Sequence, residues 1–169
     1  MTLTIRRASS GDLPAILALL EQAEMYTSSV TLAGDVTYLL GEVAGRPAAA
    51  LGMEHGDGAT LLRSFTLHPD YRGRGWSQRM LAEAYALLRA RGDRDVFLFS
   101  ADEGAFWAHQ GYRRVPAEEL VQRLALTPQV RHAVSTGWLE EALAWHSPLP
   151  AAPHAAPDPL PGTQAQPLD

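Results

Sequence analysis

The 169-residue sequence predicts a mixed α/β (α+β) domain. Three observations carry that expectation. Strand-like and helix-like hydrophobic patterns alternate along the chain. Three strand-like runs between residues 37 and 67 are joined by tight turn signals, which makes an antiparallel meander. A long helical stripe beyond residue 76 is then followed by a short apolar run, the pattern of a strand–helix–strand crossover. The length is that of one domain, enough to bury roughly 70% of the unfolded surface.

Each element has its own signal. Leu3 to Arg7 alternates at period two and reads as an opening strand. Ser9 and Asp12 have capping-box spacing, Pro14 suits a first turn, and Leu13, Ile16, Leu17 and Leu20 follow at helical spacing. Met25 to Asp35 is rich in Ser and Thr and reads as a loop or a broken helix. Thr37 to Val43, Ala48 to His55 and Ala59 to Leu67 are strands, with turns at Ala44–Pro47 and Gly56–Gly58. Met80, Leu81, Ala84, Leu87 and Leu88 make the stripe of the long helix, and Arg91-Gly92 closes it. Val96 to Phe99 is a strand, Glu103 to Gln110 a short helix closed by Gly111, and Tyr112 to Val115 a strand. Leu120, Val121 and Leu124 mark a helix within Pro116–Leu126, and Ala142 to Ser147 a final strand. Residues 1–147 therefore form the domain. From Pro148 to Asp169 seven of 22 residues are proline, a tail too poor in apolar surface to offset its ordering entropy.

Composition excludes several chemistries. There is no Cys, hence no disulfide framework, thiolate zinc site or cysteine nucleophile, and no metal site is expected. All 14 basic residues are Arg, so Schiff-base and Walker lysines are excluded. A net charge of −5 opposes a general nucleic-acid binder. No run of 18 apolar residues suggests a membrane span, and a cytoplasmic location is expected.

The most informative segment is the strand-to-helix junction from Leu67 to Ser77. A helix N-terminus offers about four unpaired N–H groups and roughly half a positive charge. Gly73 and Gly75 permit close backbone approach, Arg72 and Arg74 add charge, and Ser77 offers a hydroxyl. Together they suit a pyrophosphate or similar anion. The Gly-Lys-Ser/Thr of a Walker loop and the third glycine of a dinucleotide fingerprint are both missing.

Arg72-Gly73-Arg74-Gly75-Trp76-Ser77 resembles the Arg/Gln-x-x-Gly-x-Gly/Ala signature of the GNAT superfamily of N-acetyltransferases. Phe65-Thr66-Leu67-His68-Pro69 is similar to the family's preceding strand, and Ala105-Phe106-Trp107 through Gly111-Tyr112 to its second signature. The resemblance covers about residues 3–147 in element order. It implies a three-layer fold with a mixed, mostly antiparallel, splayed sheet flanked by helices, and acetyl-CoA as cosubstrate. The amides of Arg72, Gly73, Arg74, Gly75, Trp76 and Ser77 would hold the pyrophosphate. Phe65 and Leu67 would pair with the pantetheine arm, and Ser100 and Phe106 would meet it. Ser77 stands where the family has a small Gly or Ala. Trp107 stands where many members place a tyrosine acid. The run Leu61–Ser64, with Phe106-Trp107, Arg113–Pro116 and Leu126–Pro128, resembles an arsenic-resistance N-acetyltransferase-like branch; no substrate is inferred from that.

Acetyl transfer to an amine needs a neutral nitrogen near the thioester, a polarised carbonyl and a proton for the leaving thiolate. Glu54 and His55, at a strand end, are the candidate bases, each also readable as structural. His68 and His109 read as structural residues. Arg63 and Ser64 are candidate acceptor contacts, since an arginine in a cleft suits an anionic group on the acceptor. The expected protein is an acetyl-CoA-dependent N-acetyltransferase acting on a small-molecule amine in a ternary complex, as monomer or homodimer. The alternatives are a non-catalytic CoA-binding module on the same scaffold and a docking adaptor using the proline-rich tail.

Overall fold

The computed structural model describes residues 1–100 and 104–152. Seven strands form one sheet: β1 (Leu3–Arg7), β2 (Val36–Val43), β3 (Arg46–His55), β4 (Ala59–Leu67), β5 (Asp95–Ser100), β6 (Arg113–Val115) and β7 (Leu143–Pro148). Their order is β1-β2-β3-β4-β5-β7-β6. Five helices accompany them: α1 (Leu13–Gln22), α2 (Trp76–Arg91), α3 (Ala105–His109), α4 (Ala117–Leu124) and α5 (Pro128–Thr136). Among the described residues no helix is long and apolar enough to cross a membrane.

Strands β1–β4 pair antiparallel throughout; short turns require this of β2–β3–β4, while β1 reaches β2 through α1. The β4–α2–β5 unit is the one parallel connection, and a crossover helix is what a parallel pair needs. Strand alternation sorts side chains onto two faces. Leu39, Leu51, Met53, Leu62 and Leu98 meet Met80, Leu81, Ala84 and Leu88 of α2. Each such Leu or Met stabilises the fold by roughly 1.5–3 kcal/mol. On the opposite face Tyr38, Leu40 and Ala50 cover α1, while Leu61, Phe97 and Ala144 cover α4 and α5. The result is the three-layer, mostly antiparallel arrangement that the resemblance implied.

Most element ends agree with the sequence reading. The Ser9 N–H donates to Asp12 Oδ2 at 2.7 Å, so the cap spacing was read correctly. Met25 to Asp35 forms neither helix nor strand, the loop of its two readings. Two elements differ. The short helix is α3, Ala105–His109, and residues 101–103 fall outside the described set. Helix α5 was not expected, although Thr127 at its N-cap, Pro128 in its first turn and Gly137 at its C-cap bracket it in the usual way. The domain runs past residue 147: Pro148 ends β7, the Leu149 N–H donates to the Arg94 carbonyl at 2.8 Å, and Arg89 donates to the Pro150 carbonyl at 2.9 Å. The rest of the expected tail, residues 153–169, lies outside the described residues.

The feature that shapes the site is the parting of β4 from β5. Their ladder runs from Ala59↔Asp95 to Leu62↔Leu98 and stops. Just beyond it, Ala50 faces Thr66 and Gly52 faces Arg63 across β3–β4. Leu51 thus opposes two residues, Ser64 and Phe65, which defines a β-bulge. Ser64 sits in the left-handed region at φ +56, unusual for a non-glycine residue. The bulge turns β4 away from β5 and opens a split through the sheet.

Candidate functional site

Three cavities adjoin along this split. The first is a groove of about 360 Å³ at the N-terminal end of α2, lined by Met25, Phe65, Leu67, Arg72, Ser77 and Phe106 among others. The second, about 170 Å³, lies in the split and contains Arg63, Ser64, Phe65, Ser100 and Trp107. It shares Met25 and Phe65 with the first. The third, about 150 Å³, is lined by Tyr26, Ser29, Arg63, Gln129, His132 and Trp138, and shares Arg63 with the second. One passage therefore runs from the head of α2 through the sheet to α5.

The groove is built by α2. Gly73 and Gly75 lie at φ +78 and +74, and a Cβ at either would meet no protein atom within 4 Å. The backbone is thus exposed and free of side-chain cover at the helix N-terminus, the arrangement that receives an anion. Arg72 lines the groove; Arg74 lies 5.5 Å from the ring of Trp76. Trp76 is 7% exposed and anchors the turn against Met80, so its side chain belongs to the core. Phe65 meets Phe106 and Trp107 at ring distances of 6.0 and 5.9 Å, forming an apolar wall where groove and split join. Beyond Leu62, β4 has no ladder partner on its β5 side among the described residues. That leaves an edge on which an extended arm can be added as a strand. These features fit the pyrophosphate and pantetheine of acetyl-CoA.

The inner cavity rests on a buried ion pair. Arg63 Nη1 donates to Glu54 Oε2 at 3.0 Å, and the two side chains are 4% and 0% exposed. Arg63 Nη1 also reaches Ser29 Oγ at 2.8 Å and the Ser29 carbonyl at 3.2 Å, and its Nε donates to Ser64 Oγ at 3.3 Å. The other Glu54 oxygen accepts the backbone N–H of Gln129 at 2.8 Å, in the first turn of α5. A carboxylate at a helix N-terminus is favoured by the helix dipole as well as by this bond. Gln129 Oε1 is buried without a hydrogen-bond partner and lines the same cavity. Tyr38 sits beneath, its hydroxyl 2.9 Å from Ser64 Oγ, and burial holds this phenol above its usual range. Gly52 makes room for it: a Cβ there would lie 2.5 Å from Tyr38 Cζ.

His55 is placed elsewhere. It follows Glu54 on β3 and so faces the α2 side, lining none of the three cavities. Thr60 Oγ1 donates to Asp93 at 2.6 Å, so it accepts from His55 Nδ1 at 2.9 Å; Thr37 Oγ1 lies 2.9 Å from Nε2. The ring is thereby held as a neutral Nδ1–H tautomer. Burial, then the charge of Arg91, lowers its pKa below 6.5. An unfolded chain binds a proton here that the folded one resists, so stability is present above about pH 6.5 and is lost as pH falls through the lowered pKa. The melting temperature is expected to fall between pH 7 and 5, and less steeply in His55→Gln. Equal slopes in the two proteins would contradict this.

The sequence named Arg63, Ser64, Phe65, Leu67, Arg72, Ser77, Ser100 and Phe106, and all eight line the passage. It did not single out Tyr38, Met25, Gln129 or His132. Gln129 and His132 are brought to the cavity by α5. His68 bonds Gln22 and the Asp70 N–H at the outer rim, and His109 is exposed on α3.

Comparison with known proteins agrees with this geometry. The family model described as acetyltransferase (GNAT) family matches residues 7–114. No curated protein matches the chain. Among solved structures, N-acetylglutamate synthase from Neisseria gonorrhoeae, complexed with coenzyme A and N-acetyl-glutamate, aligns at TM-score 0.68 and 19% identity. That alignment covers 89% of this chain, which spans only 36% of the synthase. PaiA N-acetyltransferase from Thermoplasma acidophilum, in complex with coenzyme A, aligns at TM-score 0.64 and 12% identity over 88% of this chain and 99% of its own. An acyl-CoA N-acyltransferase from Pseudomonas aeruginosa aligns at TM-score 0.60 and 20% identity, covering 86% and 99%. At these identities the likeness concerns the fold, and the family rests on the sequence match. The chain belongs to the GNAT acetyltransferase family.

Proposed function

We propose that the protein transfers an acetyl group to the amine of a small molecule bearing an anionic group. One observation carries this reading: the passage from the α2 groove ends in a cavity where Arg63 is the single arginine among the described lining residues. Acetyl-CoA supplies the activated acyl group. The chain's own residues bind and orient. The amides and charges of Arg72 to Ser77 receive the pyrophosphate; Phe65 and Phe106 flank the arm. Arg63 engages Nε and Nη1 internally; among the described residues Nη2 has no partner, which leaves it for an acceptor carboxylate. Gln129 Oε1, lacking a partner, is suited to accept a hydrogen from the acceptor nitrogen. Alignment of two reactants in this way supplies roughly 7–11 kcal/mol of barrier reduction.

Both Glu54 oxygens are already committed to donors, so we assign it to holding Arg63 and α5 in place. Among the described residues that line the inner cavity there is no carboxylate to receive a polycation. The test is calorimetry with acetyl-CoA, then thiol release with paired acceptors, amino acids against their methyl esters. Acetyl-CoA binding is expected, with at least about tenfold faster turnover of the free carboxylates. No binding at millimolar acetyl-CoA refutes the function. Binding with no thiol release from any amine favours a CoA-binding module. Equal rates for acids and esters refute the role of Arg63.

A further inference from the structure

Departure of the sulfur needs a proton within the split, and few side chains there can supply one. Among the described residues lining that cavity, polar hydrogens are carried by Arg63, Ser64, Ser100 and Trp107. Guanidinium stays protonated in proteins, and an indole N–H is not an acid at neutral pH. Two hydroxyls remain. Resting on the N-acetyltransferase reading, we propose that Ser64 is the proton donor to the leaving sulfur, oriented by Tyr38 and Arg63.

Local geometry sets the direction of the Ser64 hydrogen. Strand alternation would place Ser64 opposite to Arg63, on the α2 face with Leu62. The bulge, with Ser64 at φ +56, instead turns its hydroxyl toward Tyr38, on the face that carries Arg63. Arg63 Nε can only donate, so Ser64 Oγ accepts there, at 3.3 Å. Tyr38 is 1% exposed, and Ser64 is its hydroxyl's single partner among the described residues. A buried O–H left undonated is costly, so Tyr38 donates to Ser64 across 2.9 Å. With both lone pairs of Oγ occupied, the hydrogen of Ser64 is left for the cavity that it lines.

The proton count closes without a further reactant. The acceptor nitrogen forms a bond to the acyl carbon while the C–S bond breaks and its electron pair goes to sulfur. Sulfur takes the Ser64 hydrogen, and Oγ takes one from the nitrogen. The serine, arginine and tyrosine end as they began. The two donated hydrogen bonds lower the cost of the partial charge that Oγ carries in between.

The test compares Ser64→Gly, Ser64→Ala, Tyr38→Phe and Ser100→Ala, using acetyl-CoA and the fastest amine found for the unaltered protein, or water if no amine reacts. Glycine suits the backbone at this position, so Ser64→Gly removes the hydroxyl without adding strain. Both Ser64 variants are expected to lose about 10²-fold in kcat with little change in acetyl-CoA affinity. Tyr38→Phe, acting through orientation, is expected to lose about threefold to tenfold in kcat, again without loss of cofactor affinity. A kcat for Ser64→Gly within about twofold of the unaltered protein overturns the proposal. So does a loss carried by Ser100→Ala in its place. If the unaltered protein releases no thiol with any acceptor or water, the acetyltransferase reading itself fails and this inference with it.

Discussion

Replacing Glu54 with glutamine is expected to destabilise the fold by about 3–5 kcal/mol, the usual cost of stranding one partner of a buried pair. The substitution is nearly isosteric, so lost volume does not confuse the result. Its amide oxygen can still accept the Gln129 N–H, but its NH₂ group faces Arg63 Nη1, a donor against a donor. Arg63 is then a buried cation without its counter-ion. For a chain of this length about 1 kcal/mol moves the melting temperature by roughly 2–4 °C, so a drop near 10 °C is expected. The acceptor KM should rise while acetyl-CoA affinity is kept, because the pair lies in the inner cavity and the groove does not contain it. A general-base role predicts the opposite pattern: an unchanged melting temperature, a fallen kcat and a lost limb in the pH–rate profile. Thermal melts and steady-state kinetics on one variant therefore separate the two roles.

The second large effect belongs to the turn. Gly73→Ala with Gly75→Ala is expected to weaken acetyl-CoA binding by about 10²-fold or more, as lost amide contacts to a charged group imply. Alanine in the left-handed region costs about 1–2 kcal/mol per residue, so a modest fall in stability accompanies it. The affinity loss should be larger than this strain explains. Neither new Cβ meets protein, so each projects into the space from which a ligand would approach. Calorimetry and melting on the same samples test this. A double variant that binds acetyl-CoA within about threefold of the original would show that the pyrophosphate is held elsewhere.

The two faces of β3 show why neighbouring residues in sequence part company. Glu54 and His55 stood together as candidate bases because they end one strand. Alternation sends them to opposite sides of the sheet. Glu54 meets Arg63 and the head of α5; His55 meets Thr37 and Thr60, which in turn bonds Asp93. Sequence spacing records that they differ in face but not which face holds the passage. The inner cavity was equally hard to read. Its residues come from the segment after α1, from β4 and from α5, which are distant in sequence and meet only through the sheet order. Tyr38 carried no local signal at all, since a tyrosine in a buried strand reads as core. Its hydroxyl becomes informative only beside Ser64.

What the sequence determined by itself is the local chemistry. The turn at Arg72–Ser77 needs its glycines for close backbone approach and its helix for unpaired N–H groups, and both requirements are written within a dozen residues. The meander and the crossover follow from short turns and from periodicity, which are also local. Tertiary structure alone decided where β4 and β5 part, because the bulge at Ser64 is a matter of register against β3. It also decided that β7 inserts between β5 and β6, a pairing that joins strands over 40 residues apart. Arg63 illustrates both levels. Its presence in an acidic chain made it a candidate contact for an anionic acceptor. Its role depends on Glu54, Ser29 and Ser64 being brought within hydrogen-bond reach, and only the folded sheet does that.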